Sequence, residues 1–348
     1  MRYKNVNIEA FGYELPPETI SSSEIESMMA PAYERLGLRE GRLELMTGIK
    51  ERRLWAPGTT PGKAASMAGG RALESSGIAP EEIGCLIMCS VSRDFLEPAT
   101  ATVVHDNLKL SPNCMVFDIS NACLGILTGM ITAANMIELG HINAALLVAG
   151  ENSRPLLEAT VRAVNEDNSL TRQSIKRYFA SFTIGSGAIG VVLSNKNLSR
   201  SGMRLTGGVS FAATQYNYLC RGNSDKGMND GSDIIMNTDS ETLMVKGVET
   251  AACAWKLFLE ELNVENSTFD CICTHQVGSA HKRLLFETLE LDISKDYATL
   301  ELMGNTGSVS CPFTAAKAIE SSFAPKGGKM ALLGIGSGIN CTMLGVDL

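Results

Sequence analysis

Cys123, in "DISNACLGILTGM", stands where a short apolar approach, "CMVFDIS", gives way to small and apolar residues with helical spacing. A cysteine at a strand-to-helix junction lies among the unpaired N–H groups of a helix N-terminus, where the positive end of the dipole favours thiolate over thiol. Its small neighbours Ser120, Ala122 and Gly125 leave room for a substrate, and its own N–H can face an oxyanion. This is the chemistry of a nucleophile. Taken alone, the same stretch also fits an inert core cysteine.

A nucleophile needs a base and a polariser, and the chain holds four histidines. His275 ends the strand-like "DCICTHQ", at the carboxyl end of a strand, where α/β sheets meet their ligands. His105 and His281 fall in helical patterns and His141 in a helix-to-strand turn, which suits surface or packing roles. Cys271, Cys273 and His275 face one way on a strand and offer three ligands to a metal. No CxxC loop accompanies them and buried strands accept cysteine freely, so neither a metal nor any other cofactor is expected. Asn305, in "MGNTGSVSCP", opens a glycine-bearing turn at the head of a helix. Its side-chain NH₂ can donate to a carbonyl oxygen, although an N-cap asparagine would look the same. "GIGSGINC" adds a turn after a strand, whose N–H groups near Ser337 could complete an oxyanion hole with that of Cys123.

The elements that must position these residues alternate along the chain. "EEIGCLIMCSVS", "NCMVFDIS" and "INAALLVAGENS" are strand-like, while "ATATVVHDNLKL" and "CLGILTGMITAANMIELG" are helical, the signature of an α/β protein with buried sheets. The second half repeats the order with "STFDCICTHQ", "SAHKRLLFETLEL", the helix after Asn305 and "KMALLGIGSG". Cys123 precedes "ALLVAG" by about 22 residues and Asn305 precedes "ALLGIG" by about 26, which reads as an internal repeat. "FTIGSGAIGVVLSNKN" closes the first half and "MRLTGGVSF" opens the second, giving units of 1–198 and 199–348. "VNEDNSLTRQSIKRYFA", with Arg172, Lys176 and Arg177, suits an exposed cap or a partner-facing helix.

A hydrophobic content of 45% supports substantial cores, and a net charge of −8 argues against a nucleic-acid surface. The opening residues lack the basic head and continuous apolar core of a signal peptide, and the apolar runs are too short to span a bilayer, so a cytoplasmic protein without a membrane span is expected. The ten cysteines then read as reduced thiols, nine of them core.

Together, Cys123, His275, Asn305 and "GIGSG" resemble the thiolase superfamily, in its β-ketoacyl-ACP synthase III branch. "TGIKERRLW", "DISNACLGIL", "THQVGSAH" and "GNTGSVSCP" are similar, in order, to that branch's acyl-donor, nucleophile, histidine and asparagine segments. The resemblance covers essentially the whole chain. It implies a thiolase-like α/β fold, with duplicated halves in a five-layered αβαβα sandwich, and a homodimer acting on acyl-CoA or acyl-carrier-protein thioesters. It also places a pantetheine arm near "KERRLW", with Arg52 or Arg53 for CoA phosphates and Trp55 for stacking.

Within the branch the chain departs from the fatty-acid initiating enzymes: Gln276 and Val277 follow the histidine, and "FTIGSGAIG" lacks their aspartate. "SVSRDFLEPATA", "YLCRGN", "HQVGSAH" and "ALLGIGSGINCTM" are instead similar to the head-to-head condensing enzymes of bacterial long-chain olefin biosynthesis, which join two acyl-CoA chains without decarboxylation. That resemblance implies an acyltransferase working by Claisen condensation, with Glu97 as the base for an α-proton, reaching the partner subunit's site. The alternatives are a decarboxylating malonyl-using synthase or a simple acyl transferase on the same fold, and, more distantly, a silent scaffold or a thiol-metal protein.

Overall fold

The computed structural model describes residues 1–222 and 235–348, so the last residue of "YLCRGN" falls outside it. The apolar runs build one mixed nine-stranded sheet: β1 (Val6–Glu14), β2 (Ile83–Met88), β3 (Met115–Asp118), β4 (Ala144–Glu151), β5 (Gly187–Asn195), β6 (Arg204–Ala212), β7 (Cys271–Thr274), β8 (Lys329–Gly336) and β9 (Asn340–Asp347). The strand order is β7-β8-β9-β6-β1-β5-β4-β2-β3. β4, β5 and β8 are buried along almost their whole length, which is why they read as continuous apolar runs and not as alternating ones.

β1 and β6 pair at Asn7 and Arg204, and the order repeats outward from that seam. One side runs β1-β5-β4-β2 and the other β6-β9-β8-β7. Helices α1 (Pro61–Ser76) and α2 (Ala101–Leu108) cover the outer face of the first half. α3 (Gly125–Glu138) lies in the middle, and α4 (Arg154–Glu166) belongs to a cap at one end. α5 (Ser240–Leu262) and α6 (Ser279–Thr288) cover the outer face of the second half, while α7 (Ser310–Glu320) joins α3 in the middle. The duplicated five-layered sandwich implied by the resemblance is the one observed.

The middle layer explains the composition of its helices. α3 buries Ile126, Leu127, Met130, Ala133, Ala134 and Ile137, whose spacing gives one broad apolar stripe facing both halves. Their shared core takes Ile87, Leu147 and Ile189 from one half and Cys273, Leu332 and Leu344 from the other. A helix apolar on so much of its surface is stable only between two sheets, and this fixes where its N-terminus, and so Cys123, must sit.

Two cysteine expectations change. Cys85, Cys89, Cys114, Cys271, Cys273, Cys311 and Cys341 are buried, but Cys220 is half-buried and Cys253 exposed. α5 turns Ala251, Ala254, Trp255 and Phe258 inward, and the 3.6-residue period puts Cys253 on the opposite face. Among the described residues no helix is long and apolar enough to cross a membrane.

Candidate active site

The turn of Cys123 is a strained elbow. β3 leads into a single 3-10 turn, Ala122–Leu124, which opens directly into α3. Ala122 has φ +45, in the left-handed region that a Cβ disfavours, and this kink presents Cys123 at the head of the helix. Gly125 makes the turn possible, because a Cβ there would stand 1.8 Å from the Cys89 carbonyl oxygen. The far wall is the end of β8: a Cβ on Gly336 would lie 3.5 Å from the Cys123 backbone nitrogen. Ser337 follows at once, so its N–H begins the turn beside Cys123. Asn340 Nδ2 donates to Asn121 Oδ1 (3.2 Å) and ties that turn to the elbow.

Cys123 itself does not rest as a thiolate. Burial, reinforced by the Glu151 carboxylate and then by Cys220, pushes its thiol from the ordinary 9.0 up to about 12. That rise corresponds to about 4 kcal/mol against the charged form, whereas a helix terminus contributes about 0.3–1 kcal/mol, rising to ~2 when partly buried. Burial wins, and the expected dipole-stabilised thiolate is corrected to a thiol that ionises only as a proton acceptor takes its hydrogen. Its alkylation by iodoacetamide should therefore accelerate about tenfold per pH unit between about pH 7 and 10, tracking the thiolate fraction. A plateau near neutrality would show a preformed thiolate instead.

His275 continues β7 past its last residue, with its N–H donating to the Leu333 carbonyl (2.9 Å). Gln276, one residue on, locks this end in place. Its Oε1 accepts the N–H groups of Thr299 (2.9 Å) and Leu300 (2.8 Å), and its Nε2 donates to the Tyr297 carbonyl (2.7 Å). Burial, with His281 adding to it, lowers the His275 pKa to about 3, so the ring is neutral at physiological pH, with one nitrogen a donor and the other an acceptor. His275 lines a cavity of about 170 Å³ shared with Gly48, Val277, His281 and Lys282.

Asn305 is held by its backbone. Its N–H donates to the Thr183 carbonyl (2.8 Å) and its carbonyl accepts the Gly185 N–H (2.8 Å). Its Oδ1 accepts the Gly307 N–H (3.0 Å), which fixes the amide orientation and leaves Nδ2 to donate. The following turn, Gly307–Val309, packs against the Ala122–Leu124 turn, and the Gln276 N–H donates to Ser310 Oγ (3.3 Å) at the start of α7. The structure thus brings the turns of Cys123, Asn305 and Ser337 and the end of the His275 strand to one end of the sheet.

Glu97 is not part of that enclosure within the chain. It stands exposed on the loop between β2 and α2, beside exposed Phe95 and Leu96, and no hydrogen bond or ion pair joins it to the described residues.

The basic residues of "KERRLW" sit elsewhere than expected. The strand Glu51–Leu54 alternates, which sends Arg52 and Leu54 inward. Arg52 is fully buried, its guanidinium donating to Ser22 Oγ (3.0 Å) and the Phe182 carbonyl (2.8 Å), and burial lowers its pKa to about 10. Trp55 is buried and donates to the Glu151 carbonyl (3.0 Å). Arg53 is half-buried and donates to the Pro16 carbonyl (3.1 Å). Arg52 and Trp55 brace the site's framework and are closed to a ligand. A cleft of about 570 Å³ is lined by Lys176, Arg177, Phe179 and Tyr218 together with Asp239 and Glu241, and Lys176 Nζ pairs with Glu241 Oε1 (2.8 Å).

Against known proteins, residues 117–207 match the model of 3-oxoacyl-[acyl-carrier-protein] synthase III, and residues 259–346 match that of its C-terminal portion. The chain is 38% identical to acyl-CoA:acyl-CoA alkyltransferase of Shewanella oneidensis, over 99% of each chain. It is 36% identical to the protein of that name from Xanthomonas campestris pv. campestris, over 99% of this chain and 98% of the other. Among solved structures it superposes on Xanthomonas campestris OleA with bound lauric acid and lauroyl-CoA at a TM-score of 0.93 and 36% identity, covering 99% of this chain and 100% of that one. Other structures of that protein carry replacements of one cysteine, one glutamate or one histidine.

Proposed function

The chain belongs to the 3-oxoacyl-[acyl-carrier-protein] synthase III family, and on that premise we propose that it joins two acyl-CoA molecules head to head, without decarboxylation, into a β-keto thioester. What supports this reading is the packing of the Cys123 turn against the turn that follows Asn305 and against the end of β8, with the strand of His275 bonded to β8. The residue types replaced in the Xanthomonas enzyme support Cys123, Glu97 and His275 as the working set. Its altered glutamate precedes its altered cysteine by as many residues as Glu97 precedes Cys123.

In the first half-reaction Cys123 Sγ bonds to the acyl carbonyl carbon and the thioester bond to CoA breaks. The thiol proton leaves on the departing CoA sulfur. The oxyanion is held by the N–H groups of Cys123 and Ser337. In the second, Glu97 takes an α-proton from another acyl-CoA, and the C–H electron pair moves onto its carbonyl oxygen, held by Asn305 Nδ2 and the His275 N–H. The enolate carbon attacks the acyl-enzyme, the carbon–sulfur bond to Cys123 breaks, and the thiolate recovers the proton from Glu97. On this division of labour His275→Ala and Asn305→Ala should lose condensation by about 10²–10³-fold while still forming acyl-enzyme, Asn305→Ala with little change. Wild-type condensation in both variants would remove them from the mechanism.

Lys176 and Arg177 are the cations offered to the CoA phosphates in place of Arg52 and Trp55, Lys176 exchanging its pairing with Glu241 for a phosphate. Lys176→Ala with Arg177→Ala should raise KM for acyl-CoA about tenfold at nearly unchanged kcat. An unchanged KM would exclude the cleft.

A homodimer completes the reading. β3 ends the sheet with an open edge, and Met115 on it is exposed, as are Val91, Phe95 and Leu96. A second copy on this face would cover that apolar surface and receive Glu97. The unpaired cysteines suit the reducing cytoplasm, where the protein would meet acyl-CoA.

A further inference from the structure

Glu151, the last residue of β4, is a buried carboxylate with three neutral donors and, among the described residues, no lysine or arginine partner. Its Oε1 accepts the Val91 N–H (2.9 Å) and the Ser308 hydroxyl (2.6 Å), and its Oε2 accepts the Ser92 N–H (3.1 Å). Burying a charge on neutral donors alone is costly unless every oxygen is used. The partners here lie on two different functional segments.

Val91 and Ser92 are one foot of the loop that carries Glu97. Its middle is pinned by Asp94, whose Oδ1 accepts the Gly62 N–H (2.7 Å) and whose N–H donates to Thr100 Oγ1 (3.0 Å). Its other foot is held by Asp118, which accepts the N–H groups of Thr100 and Ala101 (2.9 Å each). Between the feet, Phe95, Leu96, Glu97 and Pro98 stand exposed. Ser308 belongs instead to the turn of Asn305. There Gly307, at φ +58, lets the chain close on the carboxylate, since a Cβ at that residue would sit 3.3 Å from the Glu151 carboxyl carbon.

We propose that Glu151 is a positioning residue for condensation, one carboxylate that fixes the loop of Glu97 and the turn of Asn305 relative to each other. This rests on the reading of Glu97 as the base. An amide could not replace it, because Gln offers one acceptor oxygen and would turn an NH₂ toward the Ser92 N–H. For condensation the carboxylate acts through the loop and the turn it holds; its charge also raises the Cys123 thiol, so its loss does not slow acylation. If Glu97 serves the partner's site, Glu151 links the asparagine of one site to the base of the other.

The test measures the half-reactions of the whole chain separately. Glu151→Gln should form acyl-enzyme from an acyl-CoA no slower than wild type, yet couple two acyl-CoAs about 10- to 100-fold more slowly, as expected for the loss of hydrogen bonds to a charged group. Combined with Glu97→Gln the loss should fall short of the product of the two single losses, because part of its effect passes through that base. Ser308→Ala, which cuts one of the three bonds, should slow coupling about threefold with acylation intact, and it carries the test if Glu151→Gln does not fold. Acylation and coupling falling together, coupling unchanged, or a full multiplicative loss on the Glu97→Gln background would each overturn the proposal. Failure of the underlying reading looks different: coupling would then survive Glu97→Gln itself.

Discussion

Cys123→Ala is expected to abolish acylation outright. Incubated with acyl-CoA, the wild-type chain should gain the mass of one acyl group, and the variant none, despite nine remaining cysteines. The reason lies in access and geometry. Seven of the others are buried, and neither Cys220 nor Cys253 follows a residue in the left-handed region as Cys123 follows Ala122. Condensation should fall by roughly 10⁴-fold or more, since removing the nucleophile removes the covalent route. An acyl group that persists on the variant would place the nucleophile elsewhere.

Glu97→Gln should separate the two half-reactions more sharply than any other change. The amide cannot accept a proton, so coupling of unactivated acyl-CoAs should drop about 10²–10⁴-fold while Cys123 acylates at its usual rate. Because Glu97 is exposed on its own chain, mixing Glu97→Gln with Cys123→Ala protomers is the informative second step. If each base serves the partner's site, a mixed dimer regains one intact site from two inactive parents. If it serves its own, mixing restores nothing. Coupling unchanged by Glu97→Gln would leave it a loop carboxylate and point to decarboxylating chemistry.

The sequence made much of this legible, and the physical reasons are specific. The buried strands and the apolar helix after Cys123 are strong local signals, because a sheet covered on both faces needs uninterrupted apolar runs. Cys123, Asn305 and the glycine turn after β8 were readable because each sits at a strand end or a helix head, where backbone N–H groups face outward. Arg52 and Trp55 were misread as ligand contacts, although the alternation of Glu51–Leu54 already turns Arg52 to the same side as Leu54. The Cys123 thiol was misjudged because burial is a tertiary quantity, and it outweighs the helix terminus that the sequence displays. Glu151 left only a faint trace, an acidic residue closing the apolar run "ALLVAGE", since its three partners come from segments about 60 and 157 residues away.

The most direct measurement supplies purified enzyme with a single acyl-CoA deuterated at the α-carbon, with no malonyl thioester present, and follows products by mass spectrometry. The account predicts a β-keto thioester containing both acyl chains, one released CoA for each product, and one α-deuterium lost for each carbon–carbon bond formed. A product that appears only when malonyl thioester is added, extended by two carbons and with every α-deuterium retained, would contradict it.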